Sequence, residues 1–553
     1  MSVLTITKQN EIALVRVNNP PVNALSHALR SELFAACETL DSDSTVKAIV
    51  LICDGNTFIA GADIREFNQA SQEPHLPDVI NRIEQSQKPW IAAVHGTALG
   101  GGCEVTLGCH YRVAVGSAKF GLPEVYLGLI PGAGGTVRLP RLIGSEKAIA
   151  MITSGKPVSA KEALKNGLVD AIAPEGALED FATNFASSKM TASLPIAISL
   201  RPVSDQPDDG KCQTILDGIS AKARGQISPV EAAASVLDAG KLDAIDAMAS
   251  ERERFVRLKE SDQSAALRHV FFAERQTTKI SSLKNLTPRE VQSCGVIGGG
   301  TMGAGIAAAM VLAGLNVTMI ERDDAAVAAG AQRVNKILDG SLSRGLITPE
   351  KRETFGEAFS AATNYKSLSD CDLVVEAVFE DMPTKKLVFR NLSEVCRSDA
   401  ILASNTSYLN VNEIAASATN PERVLGLHFF SPAHIMKLVE VIKTDTVDKE
   451  VLATGFELAK RLRKIPVLSG VCDGFIGNRI LANYRKQCDY MLEEGASPQD
   501  IDTAMRNFGM AMGPFEMQDM AGLDIGWANR KRLAPNRDPK ERYVKIADRI
   551  CEL

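Results

Sequence analysis

The sequence lacks several features that mark particular classes of protein. Asn, Lys, Asp or Arg interrupts every apolar run before it reaches about 18 residues, so we predict no transmembrane segment. The formal net charge of -6 offers no general basic surface that would displace counterions from nucleic acid, so we expect no nucleic-acid partner. The 11 cysteines include no Cys-x-x-Cys pair, which indicates free thiols in a reducing compartment and no metal site.

Neither end of the sequence carries a recognisable address. The start, MSVLTITKQN, has no basic region followed by an apolar region, as a signal peptide would have. The last three residues, Cys551-Glu552-Leu553, differ from the peroxisomal Ser-Lys-Leu signal. We therefore expect a cytoplasmic location.

The 553 residues exceed what one hydrophobic core holds, and about 100–200 residues per domain predicts three or four domains. Strand-like runs at 12–17, 48–52 and 90–94 alternate with helical stretches, which predicts an α/β domain. From about 175 to 290 strand-like runs nearly vanish, and residues 261–274 have apolar positions at helical spacing. We interpret this region as helices that connect two domains.

A second α/β pattern begins with a strand that enters a glycine loop, Gly298-Gly299-Gly300-Thr301-Met302-Gly303. The loop matches G-x-G-x-x-G, precedes a helix of small residues, and is followed by a strand that ends at Glu321. Glycines at 298, 300 and 303 would let the backbone approach a pyrophosphate, and Glu321 would bond the ribose hydroxyls and repel a 2′-phosphate. The pattern therefore predicts NAD as the cofactor.

Glycine-rich and acidic segments in the first 190 residues follow a recognisable order. They are Ala60–Ile64, Gly100–Glu104, Phe120–Val125 and Pro131–Thr136. Each is weak alone, but together they resemble the crotonase (enoyl-CoA hydratase/isomerase) family over about residues 1–190. The resemblance implies a crotonase-type ββα spiral domain.

The same resemblance implies a site for enoyl-CoA thioesters. It places the catalytic acids on Glu104 and Glu124, and an oxyanion hole on the amides of Ala62 and Gly101, which would stabilise charge on the thioester oxygen. Two carboxylates in one apolar cleft shift each other's pKa apart, so that one is protonated and one ionised near neutral pH. The presence of both acids favours hydration, and Glu124 alone would support 3-enoyl to 2-enoyl isomerisation as a side activity.

The second half resembles the L-3-hydroxyacyl-CoA dehydrogenase family over about residues 291–553. The segments that carry this resemblance are Ser404–Ser407, Gly426–Ala433, Met436–Val441 and Asp473–Arg479. It implies a Rossmann-type doubly wound domain followed by an all-α C-terminal domain, with His428 as the base and Glu440 as the group that orients it. The resemblance also implies substrate-binding roles for Ser407 and Asn478 and cofactor-binding roles for Glu380 and Lys385.

Taken together, the two halves resemble the bifunctional enzymes of fatty-acid β-oxidation, with acyl-CoA thioesters as substrates. We therefore predict an α/β multidomain chain. Its predicted parts are a crotonase-like domain (1–190), a helical linker (191–288), an NAD-binding domain (289–470) and a helical C-terminal domain (471–553). The predicted reactions are hydration of 2-trans-enoyl-CoA to (3S)-3-hydroxyacyl-CoA and its oxidation with NAD to 3-ketoacyl-CoA. We expect a monomer or homodimer, with thiolase as a candidate partner.

Two alternatives stay open at this point. The family usually carries two copies of the C-terminal helical domain, whereas Ala511–Glu516 matches a motif of the first copy and the sequence then ends, so we expect a truncated domain. The alternative function is then a hydratase/isomerase with a weak or inactive dehydrogenase half. A non-enzymatic scaffold is the third hypothesis, and the intact Glu104, Glu124, His428 and Glu440 argue against it.

Overall fold

The computed structural model describes residues 2–70 and 72–553, and the chain folds into two compact units, Met1–Phe272 and Ala273–Leu553. Each unit contains a largely parallel sheet together with helices, which confirms the α/β multidomain fold. This division into two units is coarser than the four predicted domains, so the predicted domain boundaries stay a prediction. Within the described residues, every helix is too short or too polar to cross a membrane.

The strands of the first unit form two sheets. They are β1 (Leu4–Gln9), β2 (Ile12–Val17), β3 (Ala48–Cys53), β4 (Trp90–Val94), β5 (Thr97–Leu99), β6 (Tyr111–Val115), β7 (Lys119–Gly121), β8 (Val158–Ser159) and β9 (Ala171–Ala173). The larger sheet has the order β1-β2-β3-β4-β6-β9 and is parallel apart from the β1–β2 pair. Every residue of β3 and β4 is buried, as expected of apolar parallel strands covered on both faces. The smaller sheet has the order β5-β7-β8.

Eleven α-helices lie among the described residues between 27 and 276. They are α1 (His27–Ser42), α2 (Leu76–Glu84), α3 (Gly101–Gly108), α4 (Gly135–Ile143), α5 (Ser145–Ser154), α6 (Ala160–Asn166), α7 (Leu178–Lys189), α8 (Asp209–Ala223), α9 (Ser228–Ala239), α10 (Ala244–Lys259) and α11 (Asp262–Gln276). Helices α8–α10 lie in the segment predicted as a linker, yet they belong to the first unit. Ala232, Ala233 and Val236 of α9 are buried in the main core of that unit.

Helix α3 runs close to a neighbouring chain segment at its first turn. A Cβ atom at Gly102 would lie only 2.1 Å from the carbonyl oxygen of Ile59, so no larger residue fits there without moving the backbone. This close approach fixes the start of α3, and therefore Glu104 in its first turn, against the segment that precedes Ala62.

The second unit contains one eight-stranded sheet. Its strands are β10 (Ser293–Ile297), β11 (Asn316–Ile320), β12 (Phe359–Ala362), β13 (Leu373–Glu376), β14 (Ile401–Ser404), β15 (Val424–Phe429), β16 (Leu438–Lys443) and β17 (Ile465–Gly470). Their order is β12-β11-β10-β13-β14-β15-β16-β17, and only the β15–β16 pair is antiparallel. The order reverses between β10 and β13, and such a switch point is where doubly wound sheets bind ligands.

The helices of the second unit follow. They are α12 (Thr301–Leu312), α13 (Asp324–Ser343), α14 (Pro349–Glu357), α15 (Met382–Val395), α16 (Val411–Ala415), α17 (Lys449–Arg461), α18 (Gly477–Glu493), α19 (Pro498–Phe508), α20 (Pro514–Ala521), α21 (Asp524–Leu533) and α22 (Ile546–Glu552). Within the described residues the chain is helical from α18 onward, which confirms the all-α character predicted after about residue 470.

We predict that Gly303→Ala destabilises the second unit, whereas Gly300→Ala does not. A Cβ atom at Gly303 would lie 1.9 Å from the carbonyl oxygen of Gly298, while one at Gly300 would meet no atom within 4 Å. Overpacking of this kind costs about 1–3 kcal/mol of unfolding free energy. Hydrogen exchange of peptides that span β10 and α12 measures the effect, and equal protection in both variants would contradict it.

Candidate active sites

Glu104 occupies the first site from the first turn of α3, where its side chain is buried. Its Oε1 accepts hydrogen bonds from the amides of Ala133, at 2.8 Å, and Gly135, at 2.9 Å. A Cβ atom at Gly135 would lie 2.9 Å from the same oxygen, so glycine is what lets this loop reach the carboxylate. Glu104 is therefore held in one orientation by backbone donors.

Glu124 lies in the same site and comes from the segment after β7. It begins a short 3₁₀ helix, Glu124–Leu127, and a Cβ atom at Gly100 would lie 2.9 Å from its Oε1. Its Oε2 is buried and has no hydrogen-bond partner among the described residues. A buried carboxylate oxygen without a donor is disfavoured in the charged form, so this environment favours the protonated acid.

Two backbone amides lie next to each other beside these acids. A Cβ atom at Gly101 would lie 3.4 Å from the amide nitrogen of Ala62. Gly101 is the first residue of α3, so its amide has no acceptor within the helix. Neither amide donates to another described backbone carbonyl. Two adjacent free amides of this kind are what stabilisation of an oxyanion requires.

The electrostatic environment raises the pKa of both acids. Burial, followed by the negative charge of Glu251, raises the pKa of Glu104 to about 8, against the lowering effect of its two amide bonds. Burial, followed by the negative charge of Glu104, raises the pKa of Glu124 well above its ordinary value. Both shifts arise because charged carboxylates lose their water here, and the two amide bonds of Glu104 offset only part of this loss.

Glu251 was not among the predicted site residues. It lies on α10 and is buried, and its two oxygens accept hydrogen bonds from the amides of Gly134 (2.6 Å) and Thr136 (2.7 Å) and from the Thr136 hydroxyl (2.6 Å). In the sequence it stands in the charged run Ser-Glu-Arg-Glu-Arg, which is typical of a solvated helix face. No local signal distinguishes it from its neighbours.

The second site is organised by the register of β15 and β16. His428 and Glu440 are directly opposite in this antiparallel pair, and His428 Nδ1 lies 2.6 Å from Glu440 Oε2. The other oxygen of Glu440 accepts hydrogen bonds from the amides of Ile476, at 2.9 Å, and Gly477, at 2.7 Å. Burial opposes its charge, but the bonds from His428 and these amides keep the pKa of Glu440 below its ordinary value.

The free ring nitrogen of His428 faces Ser407. Its Nε2 lies 3.5 Å from Ser407 Oγ, and Asn478 Nδ2 donates to the Ser407 carbonyl at 3.4 Å. Glu380 Oε1 accepts from the amides of Ser407 and Tyr408, at 2.8 and 2.9 Å. Glu380 therefore fixes the loop that presents Ser407 to the histidine.

Lys385 is completely buried and forms an ion pair with Glu376 at the end of β13. Its Nζ lies 2.6 Å from Glu376 Oε1, and it also donates to the Asn405 carbonyl at 3.2 Å. Glu380 Oε2 is farther away, at 3.8 Å. The ammonium thus joins the carboxyl ends of β13 and β14, and nothing in these contacts leaves it exposed to a ligand.

The glycine loop between β10 and α12 fits a dinucleotide. Gly300 borders open space, because a Cβ atom there would meet nothing within 4 Å, and this space lies at the N-terminus of α12. Helix N-termini bind pyrophosphate through free amides and the helix dipole. Glu321 follows β11, and its Oε1 accepts from the Gly299 amide at 2.6 Å. The loop, with Gly298 and Gly303 at its ends, and the acid that would bind the ribose are thus adjacent.

Three family models match the chain in succession. Enoyl-CoA hydratase/isomerase matches residues 7–201, the NAD binding domain of 3-hydroxyacyl-CoA dehydrogenase matches 293–472, and the C-terminal domain of the same dehydrogenase matches 474–553. The first range contains Glu104 and Glu124, and the second contains His428 and Glu440.

Curated relatives match nearly the whole chain. The peroxisomal bifunctional enzyme of Danio rerio is 41% identical over 98% of this chain and 77% of its own length. The chain belongs to the peroxisomal bifunctional enzyme family. The peroxisomal bifunctional enzyme of Homo sapiens is 39% identical over 98% of this chain and 78% of its own length. The glyoxysomal fatty acid beta-oxidation multifunctional protein MFP-a of Brassica napus is 34% identical over 95% and 74%.

Membership of the bifunctional enzyme family confirms the crotonase and dehydrogenase domains and NAD as the cofactor. It contradicts the expected cytoplasmic location, because these relatives are named peroxisomal or glyoxysomal. That expectation rested on the lack of a short targeting signal. Such a signal is recognised by a receptor, and neither the fold nor the chemistry depends on it. The expected truncation of the C-terminal domain is not confirmed, since its family model matches residues 474–553.

We predict that Lys385→Met lowers the unfolding free energy of the second unit by about 3–5 kcal/mol, because it leaves the Glu376 carboxylate buried without its cation. The double variant Glu376→Gln/Lys385→Met removes both charges and is expected to recover part of the loss. Pulse proteolysis in urea, scored on fragments of the second unit, measures both. A single variant as stable as the wild type would show that the pair is dispensable.

Proposed function

We propose that this chain hydrates 2-trans-enoyl-CoA to (3S)-3-hydroxyacyl-CoA at Glu104 and Glu124, and oxidises that product with NAD to 3-ketoacyl-CoA at His428 and Glu440. The observation that carries the proposal is that each half brings together a complete set of proton-transfer groups. The first half pairs two carboxyl groups of different environment beside two free amides. The second pairs a histidine with a carboxylate 2.6 Å away.

In the hydration step, Glu104 is the base and Glu124 is the acid. The Glu104 carboxylate, held by two amides, takes a proton from water as its oxygen attacks C3 of the enoyl thioester. The negative charge that develops on the thioester oxygen is stabilised by the amides of Ala62 and Gly101. The protonated Glu124 then delivers its proton to C2, which leaves the 3-hydroxyacyl thioester.

We propose double-bond isomerisation as a second activity of the same site. Glu124 would carry a proton between C2 and C4 of a 3-enoyl thioester, with the same two amides stabilising the dienolate. This side activity needs no water, so it does not depend on the base Glu104.

In the oxidation step, His428 Nε2 takes the proton of the 3-hydroxyl group. Glu440 accepts the hydrogen bond from Nδ1, which fixes the tautomer with a free Nε2 and stabilises the imidazolium that forms. Ser407 borders this nitrogen and Asn478 donates to the Ser407 carbonyl, and both would hold the 3-oxygen. NAD, when bound, would accept the hydride released from C3 of the substrate as the C3–H bond breaks.

The cofactor would lie along the glycine loop of Gly298, Gly300 and Gly303, with Glu321 on the adenosine ribose. Glu380 and Lys385 would act near the nicotinamide end of the cofactor by holding the loop that contains Ser407. Glu380 accepts from the Ser407 amide, and Lys385 donates to the nearby Asn405 carbonyl.

The alternative of a hydratase with a silent dehydrogenase half is less well supported. The match of residues 474–553 to the dehydrogenase C-terminal domain argues against it. The scaffold hypothesis is opposed by the buried, ordered polar groups of both sites, which a structural role does not require. Acyl-CoA substrates fit both family domains. The oligomeric state, monomer or homodimer, and a thiolase partner stay predictions from the sequence.

We predict that single substitutions separate the two activities. With crotonyl-CoA and NAD, Glu104→Gln should lower enoyl loss by about 10²–10⁴-fold, and His428→Gln should lower NADH formation by a similar factor. Loss of enoyl absorbance and appearance of NADH are followed together. Supplied (3S)-3-hydroxybutyryl-CoA is the control, because Glu104→Gln should still oxidise it. Enoyl loss without NADH in the wild type would instead establish the silent dehydrogenase.

We predict that hydration slows as the pH falls below about 8, because the raised pKa of Glu104 leaves its carboxyl group protonated and unable to accept a proton from water. The initial rate of crotonyl-CoA hydration from pH 6 to 10 measures this dependence. A flat profile across pH 7 to 9 would refute the assignment of Glu104 as the base.

A further inference from the structure

Four consecutive amides at the start of α4 are shared between two buried carboxylates. In the loop 131–136, the amides of residues 133 and 135 donate to Glu104, and those of 134 and 136 donate to Glu251. The two acids therefore bind alternate amides of the same loop. Any rotation of this loop that broke its bonds to Glu251 would also turn the amides that orient Glu104.

Glu251 reaches this loop from α10, a helix that contributes no other group to the site described above. Its side chain is 1% exposed, and both of its oxygens are used by loop donors, including the Thr136 hydroxyl. Amides at a helix N-terminus stabilise a carboxylate through hydrogen bonds and the helix dipole. The contacts of Glu251 are thus directed entirely at the loop that holds the hydration base.

The charged groups around Glu251 lie on three other elements. Glu104 on α3 and Glu124 after β7 carry like charge when ionised, and Arg138 on α4 carries the opposite charge. Arg138 is committed to Glu84, with Nη2 2.7 Å from Glu84 Oε2. The negative charge of Glu251 is therefore felt directly by Glu104, and burial prevents water from screening it.

We infer that Glu251 is a positioning residue for hydration, which holds the loop 131–136 so that its other two amides orient Glu104. The inference rests on the proposed function of the first site. It gives a specific role to α10, because this helix supplies the second anchor of the loop. Glu251 has no contact with the reacting atoms in this role, and acts through the base.

Two substitutions separate the geometry of Glu251 from its charge. Glu251→Gln keeps the shape but replaces one accepting oxygen with an NH₂ group, which cannot accept from an amide. Glu251→Asp keeps the charge but shortens the side chain by one methylene. Glu253→Gln is the matched control, since Glu253 is exposed on the same helix. Oxidation of (3S)-3-hydroxybutyryl-CoA by each preparation reports that the second unit is intact.

For Glu251→Gln we expect the kcat of crotonyl-CoA hydration to fall by about 10–100-fold with little change in KM, as misplacement of a catalytic group produces. The limb of the pH profile that rises with pH should move to lower pH, because Glu104 ionises more easily without the neighbouring charge. For Glu251→Asp we expect a lower kcat, while the rising limb of the pH profile stays at the wild-type pH. A residue needed only for folding would not move the limb, and Glu253→Gln should behave as wild type.

Wild-type kcat and an unmoved limb in Glu251→Gln would overturn the inference while the proposed function stands. If Glu251→Gln fails to fold, Glu251→Asp decides: a lower kcat supports the positioning role, and a wild-type kcat overturns it. A wild-type chain that does not hydrate crotonyl-CoA would overturn the proposed function itself, and the inference with it.

Discussion

Buried carboxylates that are held by backbone amides organise both units of this chain. A carboxylate deprived of water needs donors, and in this structure the donors come from loops at the start of helices. Glu104 and Glu251 bind the amides that precede and begin α4, and Glu440 binds those that begin α18. The glycines of these loops permit the approach. The positions of the proton-transfer groups therefore depend on how the chain satisfies its buried charges.

The two sites reach this result by different routes. In the second unit, His428 and Glu440 are twelve residues apart and face each other because neighbouring antiparallel strands place them in register. The geometry follows from one strand pair. In the first unit, Glu104 and the Gly101 amide come from the start of α3, whereas Glu124 comes from a separate 3₁₀ turn and the Ala62 amide from a further segment. That arrangement needs the whole unit to be folded.

The helical segment after residue 190 shows why composition is a poor guide to role. Its Ala, Lys, Glu and Asp content is typical of a connector, and we interpreted it as one. In the structure α8–α10 belong to the first unit, and α9 contributes buried apolar side chains to its core. One acidic residue of α10 is buried against the loop that holds Glu104, although its sequence neighbours are partly or fully exposed. Whether a helix face is buried or exposed depends on what packs against it, and the pattern of charges in the sequence does not reveal this.

The class of fold, the order of the domains and the cofactor could be predicted from the sequence, and the family models confirm them. The apolar runs at 12–17 and 90–94 predicted β2 and β4 to the residue. These strand signals are local in the sequence, and the motifs that suggested chemistry come directly after strands. Only the folded chain shows that loop amides hold Glu104, that Lys385 is buried against Glu376, and that Glu251 binds the same loop as Glu104. Each of these facts depends on contacts between different elements of the fold, which create the low-dielectric surroundings that set the charge of a carboxyl group.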